Sequence, residues 1–180
     1  MNQHGGVILI EEVEHQINLP KVIRITGVIE YINYYLNLCL ICDNNCRLLI
    51  NIEIVDLHVH FLGNTVTIIG ELKVENSQLL LYNYRQLLSQ SSFPSFSNES
   101  STDNPPPTSD NDSQFILNYI ISHSPTIKLL YAQIVVNTTQ IVNMDTYHTV
   151  IKKRREFLTQ QEQLFLQLIN NNDNAENNGT

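Results

Sequence analysis

Val22-Ile23-Arg24-Ile25-Thr26-Gly27-Val28-Ile29-Glu30-Tyr31-Ile32 is a strand by composition, rich in β-branched and aromatic residues, with one glycine at its middle. A glycine inside a strand marks a bend or a close approach of another backbone, where a side chain would obstruct. One long strand that bends at Gly27 can serve both halves of a small barrel. The rest of the chain supplies the partners. A second strand is expected from about Tyr35 to Cys42, then a turn through Asp43-Asn44-Asn45, then a return from Arg47 to Val55. Asp and Asn tolerate left-handed backbone angles, so these two strands form a hairpin. Residues 56–62, which include His58 and His60, read as a short helix or an irregular connection. Gly63-Asn64 then turns into a fourth strand, Thr65 to Val74, which alternates with period two around Gly70. The fifth strand is Thr126 to Asn137, TIKLLYAQIVVN.

The fold class that follows is mainly β, a five-stranded Greek-key barrel of OB type with a C-terminal α-helix and a long insertion. The helix is expected from about Asp145 to Asn170, capped by Asn143 or Asp145. Tyr147, Val150, Ile151, Phe157, Leu158, Leu164, Phe165 and Leu168 fall three and four apart, interrupted by Arg154 and Gln161. Such a helix is longer than a small barrel can cover, so part of its apolar stripe is expected to meet another protein.

The ordered fold is expected to span 20–170. Residues 1–19 read as an extended lead-in that packs on the barrel, and 171–180, rich in Asn, as a disordered tail. Between about Ser89 and Gln114 the stretch SQSSFPSFSNESSTDNPPPTSDNDSQ has almost nothing to bury and is expected to be disordered. Its flanks, LLLYNYRQLL and FILNYIIS, read as the two arms of an elongated β-hairpin.

The 180-residue chain carries a net charge of −8, and where that charge sits decides more than its sum. Residues 20–84 and 126–170 together hold nine basic and nine acidic side chains, so the barrel and helix are neutral and the excess acid lies outside them. Affinity for nucleic acid grows with the number of phosphates neutralised, so such a barrel binds DNA weakly alone and better beside a more basic subunit. No stretch approaches the roughly 18 apolar residues of a membrane span, and the start lacks the pattern of a secretory leader. Three cysteines, an odd number, fit a reducing compartment. No membrane association is expected.

Enzyme classes find little support. The chain has no phosphate-binding glycine loop, no nucleophile elbow and no helix-borne metal motif, so neither catalysis nor a cofactor is expected. Cys39-x2-Cys42-x3-Cys46 with His58-x-His60 has the residue types of a zinc site. However, Cys39 and Cys42, three apart on one strand, point to opposite faces, so plain buried thiols and no metal are expected.

Single strands are held by aromatic faces stacking on bases and by cations along the phosphates. The candidates on predicted strands are Arg24, Tyr31, Arg47, Lys73, Lys128 and Tyr131, with Arg24, Arg47 and Lys73 expected to line a weak groove. Lys152-Lys153-Arg154-Arg155 cannot all face one ligand, because successive helical residues point 100° apart. A solvated face is expected there, except that Arg154 lies on the apolar stripe and suits a hydrogen bond within an apolar interface. The expected partner contact is Tyr147, Ile151, Arg154, Phe157 and Leu158.

Several of these stretches, in this order, resemble the Ten-one family, the small OB-fold subunit of the CST telomere complex. The likeness lies in Arg24-Ile25-Thr26-Gly27-Val28-Ile29, in Phe61-Leu62-Gly63-Asn64 leading to Ile68-Ile69-Gly70-Glu71-Leu72, and in Leu130-Tyr131-Ala132-Gln133-Ile134-Val135. Val142-Asn143-Met144 and the helix through Ile151 and Arg155-Glu156-Phe157 continue it. The insertion at 85–125 and the tail after Phe165 have no counterpart in the family. The resemblance implies a non-enzymatic nuclear subunit that pairs with a Stn-one-like OB-fold protein and joins a larger Ctc-one-like subunit on single-stranded telomeric DNA. There it would protect the chromosome end and support C-strand fill-in by DNA polymerase alpha–primase. The replication protein A small subunit has the same architecture and is the alternative, as is a pure protein-interaction OB module. Gly70-Glu71-Leu72 and the lead-in favour the Ten-one family.

Overall fold

The structure, a computed structural model, describes residues 6–15, 19–55, 57, 61–90 and 110–177, without the side chains of 88–90, 110–112 and 168–177. His58 and His60, and most of the Ser- and Pro-rich insertion, lie outside the described residues. The chain divides into two compact units, 1–141 and 142–180.

The first unit is built on β2 (Val22–Asn33), β3 (Leu38–Asp43), β4 (Cys46–Asn51), β5 (Thr65–Asn76) and β6 (Thr126–Asn137). The strands run in the order β2-β3-β4-β6-β5, and β5 pairs again with β2, which closes the sheet into the expected five-stranded OB barrel. All neighbours are antiparallel except β4 and β6. The β3–β4 turn has Asn44 at φ 47° and Asn45 at φ 69°, the left-handed pair that a two-residue hairpin requires. The expected glycine roles are also visible. A Cβ on Gly27 would lie 2.9 Å from both the Cys42 carbonyl oxygen and Ile10 Cδ1, and one on Gly70 would collide with the Tyr131 carbonyl beside a bulge in the β5–β6 pairing.

The inward side chains form the barrel core, with Ile23, Ile25, Ile29, Cys39, Ile41, Leu48, Ile50, Ile68 and Leu130 buried. One end of this core is plugged by the lead-in, which is not simply extended as expected. A two-residue strand, β1 (Gly6–Val7), pairs in parallel with β2, and a six-residue helix, α1 (Ile10–His15), follows. The Glu12 carboxylate accepts the Leu9 N–H at 2.8 Å, half of a capping box, so Ile10 and Val13 can turn into the core.

The largest correction concerns the flanks of the insertion. They are not arms of a β-hairpin but two helices, α2 (Ser77–Gln90) and α3 (Asp110–Ser122). Residues 110–114, expected to be disordered, belong to α3. Asn76 caps α2, its carboxamide oxygen accepting the Leu79 N–H at 3.0 Å. The two helices pack on each other and, through a second apolar cluster, on the outside of the barrel. Leu36, Leu38, Leu40, Leu49, Ile127 and Leu129 meet Tyr84 of α2 and Ile116 and Ile120 of α3 there. Polar ties hold α3 in place. Asn33 at the end of β2 donates its amide to the Ser113 hydroxyl, and the Tyr119 hydroxyl donates to the Arg47 carbonyl at 2.7 Å.

The second unit holds one helix, α4 (Met144–Asn177), which begins one residue before the expected start and runs past the expected end. The Asn143 carboxamide accepts the Thr146 N–H at 3.0 Å, which settles the cap between the two candidates. Part of the stretch expected to be a disordered tail, 171–177, is helical. Among the described residues no helix is long and apolar enough to cross a membrane.

Candidate nucleic-acid interface and partner surface

Oligonucleotides take an OB barrel on the outer face of its second and third strands and the loops beside them. Here those strands are β3 and β4, and their outward residues Leu38, Leu40 and Leu49 are buried beneath α2 and α3. These two helices therefore cover that face of the barrel.

The candidate side chains separate into several settings. Tyr31 and Arg47 come together. The Tyr31 ring stacks on Phe115 of α3 with centroids 4.6 Å apart and planes 14° from parallel. Arg47 forms a two-pronged ion pair with Glu30, Nε to Oε2 at 2.6 Å and Nη2 to Oε1 at 2.7 Å. The Arg47 hydrogen bonds hold the Glu30 carboxyl below its ordinary range, and the same bonds raise the guanidinium further. Both residues line a cleft of about 360 Å³ with Phe115, Asn118, Tyr119 and Ser122.

Lys73 and Tyr131 form a second pair, on β5 and β6. The Lys73 ammonium lies 4.3 Å from the Tyr131 ring centroid and 3.7 Å from Glu71, whose other oxygen takes Lys21 at 2.8 Å. Tyr131 donates its hydroxyl to Glu75 at 2.9 Å. Burial first, and then that acceptor carboxylate, pushes its pKa up to about 12. Lys128 is employed elsewhere, because its ammonium donates to the carbonyls of Val13 and Glu14 at the end of α1. Arg24 is exposed on β2, between β1 and β5, with Ile69 opposite it on β5 and Lys73 four residues further along that strand. Arg47 and Lys73 are each countered by a carboxylate.

Of the three thiols expected to be buried, Cys39 is, whereas Cys42 and Cys46 are only partly so. Cys39 is fully buried and its thiol pKa is raised by burial; Cys42 and Cys46 are raised for the same leading reason. Among the described residues no group of three or more His, Cys, Asp or Glu is placed to hold a metal ion.

On α4, Val150, Phe157, Leu158, Leu164 and Phe165 are exposed and follow one stripe, with Arg154, also exposed, within it. Tyr147 is half-buried and Ile151 is buried. The 34 residues of the helix extend about 51 Å.

Phe115 and Asn118 were not among the sequence candidates. Their signal was present: Phe115, Ile116, Tyr119 and Ile120 recur at one, four and five, a helical spacing, with Phe115 and Asn118 on the same turn.

No protein-family model matches the chain, and no curated protein matches it. Among solved structures it is similar to a chain of the S. pombe Stn1-Ten1 complex, at 8% identity and a TM-score of 0.48, over 87% of this chain and 96% of that one. It is also similar to the telomere capping protein Ten1 from Saccharomyces pombe, at 9% identity and a TM-score of 0.46, over 84% of this chain and 98% of that one.

Proposed function

We propose that this chain is a non-catalytic OB-fold subunit of a nuclear complex that binds single-stranded telomeric DNA. In this reading it pairs with a Stn-one-like OB-fold protein, works beside a larger Ctc-one-like subunit, protects chromosome ends and supports C-strand fill-in by DNA polymerase alpha–primase. The observation that carries the pairing is the exposed stripe of α4. Val150, Phe157, Leu158, Leu164 and Phe165 present more contiguous apolar surface than an isolated helix keeps in water, and Arg154 supplies a directional donor inside it. The choice of family rests on the sequence resemblance. The charge pattern supports a subordinate role in DNA binding, since Arg47 and Lys73 face Glu30 and Glu71 before any phosphate arrives.

The test is co-purification from a nuclear extract with the full chain as bait, followed by identification of the bound subunits. The double variant Phe157→Glu, Leu158→Glu is expected to lose the partner at least tenfold while the barrel keeps its circular dichroism and melting transition. Retention of the partner by the double variant overturns the pairing surface. Recovery of a replication protein A large subunit in place of telomeric subunits overturns the telomeric assignment.

A further inference from the structure

The geometry points to the cleft between α3 and the barrel as the place where this chain takes a nucleobase of single-stranded nucleic acid. This inference rests on the proposed function for its ligand class and relocates the contact within the molecule. The strand face that OB barrels ordinarily offer is roofed by α2 and α3, so Leu38 and Leu49 have no surface left for a base and Leu40 contributes only to the floor of the cleft. At the edge of that roof Phe115 keeps one ring face against Tyr31 and is still 53% exposed. Its stacking partner fixes the ring, so a base laid on the open face extends an existing stack and orders little new side chain.

The polar groups around it are those a nucleotide uses. Asn118, one helical turn from Phe115 and in the lining of the cleft, has its carboxamide oxygen held by Gln114 Nε2 at 2.9 Å, so its amide hydrogens are the groups it can offer a base edge. Arg47, fixed by Glu30 and with 45% of its side chain exposed, gives the backbone phosphate one cation whose charge is already largely balanced. The cleft, about 360 Å³, is shallow and open to solvent, which suits a base laid on one ring face and not an enclosed ligand. Stacking rather than phosphate neutralisation then dominates, and the dependence on salt is shallow.

The experiment uses the full chain and fluorescein-labelled 12-nucleotide single strands of thymidine or of mixed purine sequence, read by anisotropy across a salt series. Binding is expected to weaken by about fivefold or more in Phe115→Leu, which keeps the apolar packing and removes the aromatic face. Asn118→Ala is expected to reduce the difference between the two strands, and Leu79→Ala, on the exposed side of α2, to change nothing. The slope of log affinity against log salt is expected to be no steeper than about −0.7, one phosphate. Equal affinity of Phe115→Leu and the parent chain overturns the cleft, as does the absence of any binding or a steep salt slope. These failures are separable from failure of the proposed function. A chain that captures its partner through α4 and ignores the oligonucleotide loses only the cleft, whereas one that binds the oligonucleotide and captures nothing loses only the pairing.

Discussion

Glu30 occupies a bulge of β2, where the pairing with β3 shifts between Ile29 and Tyr31, and the bulge carries its carboxylate to the Arg47 guanidinium across the hairpin. Because Arg47 depresses the folded-state pKa of Glu30, the stabilisation is fully present above the unfolded value of about 4.3 and is lost as pH falls through the lower, folded one. Arg47 is almost half exposed, so solvent screens the pair and its worth is at most about 1 kcal/mol. Glu30→Gln is therefore expected to lower the urea midpoint slightly at pH 7 and to match the parent chain only once the pH has fallen below the depressed, folded-state pKa of Glu30. A deficit that persists in acid would mean that the side chain acts through packing. Arg47 is also a case in which charge alone misleads. In the sequence it reads as a free cation on a strand, because Glu30 lies 17 residues away and only the hairpin register brings them together.

Among elements, the five strands were legible because each alternates or bends where a barrel needs it, and the Asn44-Asn45 turn fixed one register outright. The helices α2 and α3 were not read correctly, although Leu80, Leu81 and Tyr84 on one and Ile116, Tyr119 and Ile120 on the other are at helical spacing. The run Leu79-Leu80-Leu81-Tyr82 suits either secondary structure, and what decides is the outer barrel surface waiting to be covered, which has no local signature. If the two helices are integral to the fold, truncating their buried face must cost as much as truncating the barrel core. Ile120, fully buried, is expected to cost about 2–4 kcal/mol on replacement by Ala, against near neutrality for the half-exposed neighbour Ile121, both read from urea unfolding. Similar small effects at both positions would make the helices a loose appendage. The candidate site followed the same division. Tyr31 and Arg47 could be named from strand composition, whereas Phe115 and Asn118 belong to the element whose type was misread.

Taken as a whole molecule, the chain buries the inner surface of its barrel and leaves a stripe of apolar side chains exposed along α4. The barrel core is closed at one end by α1, where Lys128 holds the last carbonyls, and sealed along one side by α2 and α3. The second unit carries a stripe of exposed Val, Leu and Phe side chains with Arg154 within it. The composition had already located the charge excess outside barrel and helix, and that much of the division of labour was readable without coordinates. The order β5-α2, then α3-β6, has one more consequence. Since β5 and β6 are 12-residue neighbours zipped from Asn76–Thr126 to Val66–Asn137, peptide-bond continuity between positions 90 and 110 is expected to be dispensable for the architecture. Two separately translated fragments broken there and co-expressed are expected to reassemble into one soluble particle with a native-like melting transition, making the chain a naturally splittable scaffold; fragments that stay apart on gel filtration would show that the junction itself holds the halves together.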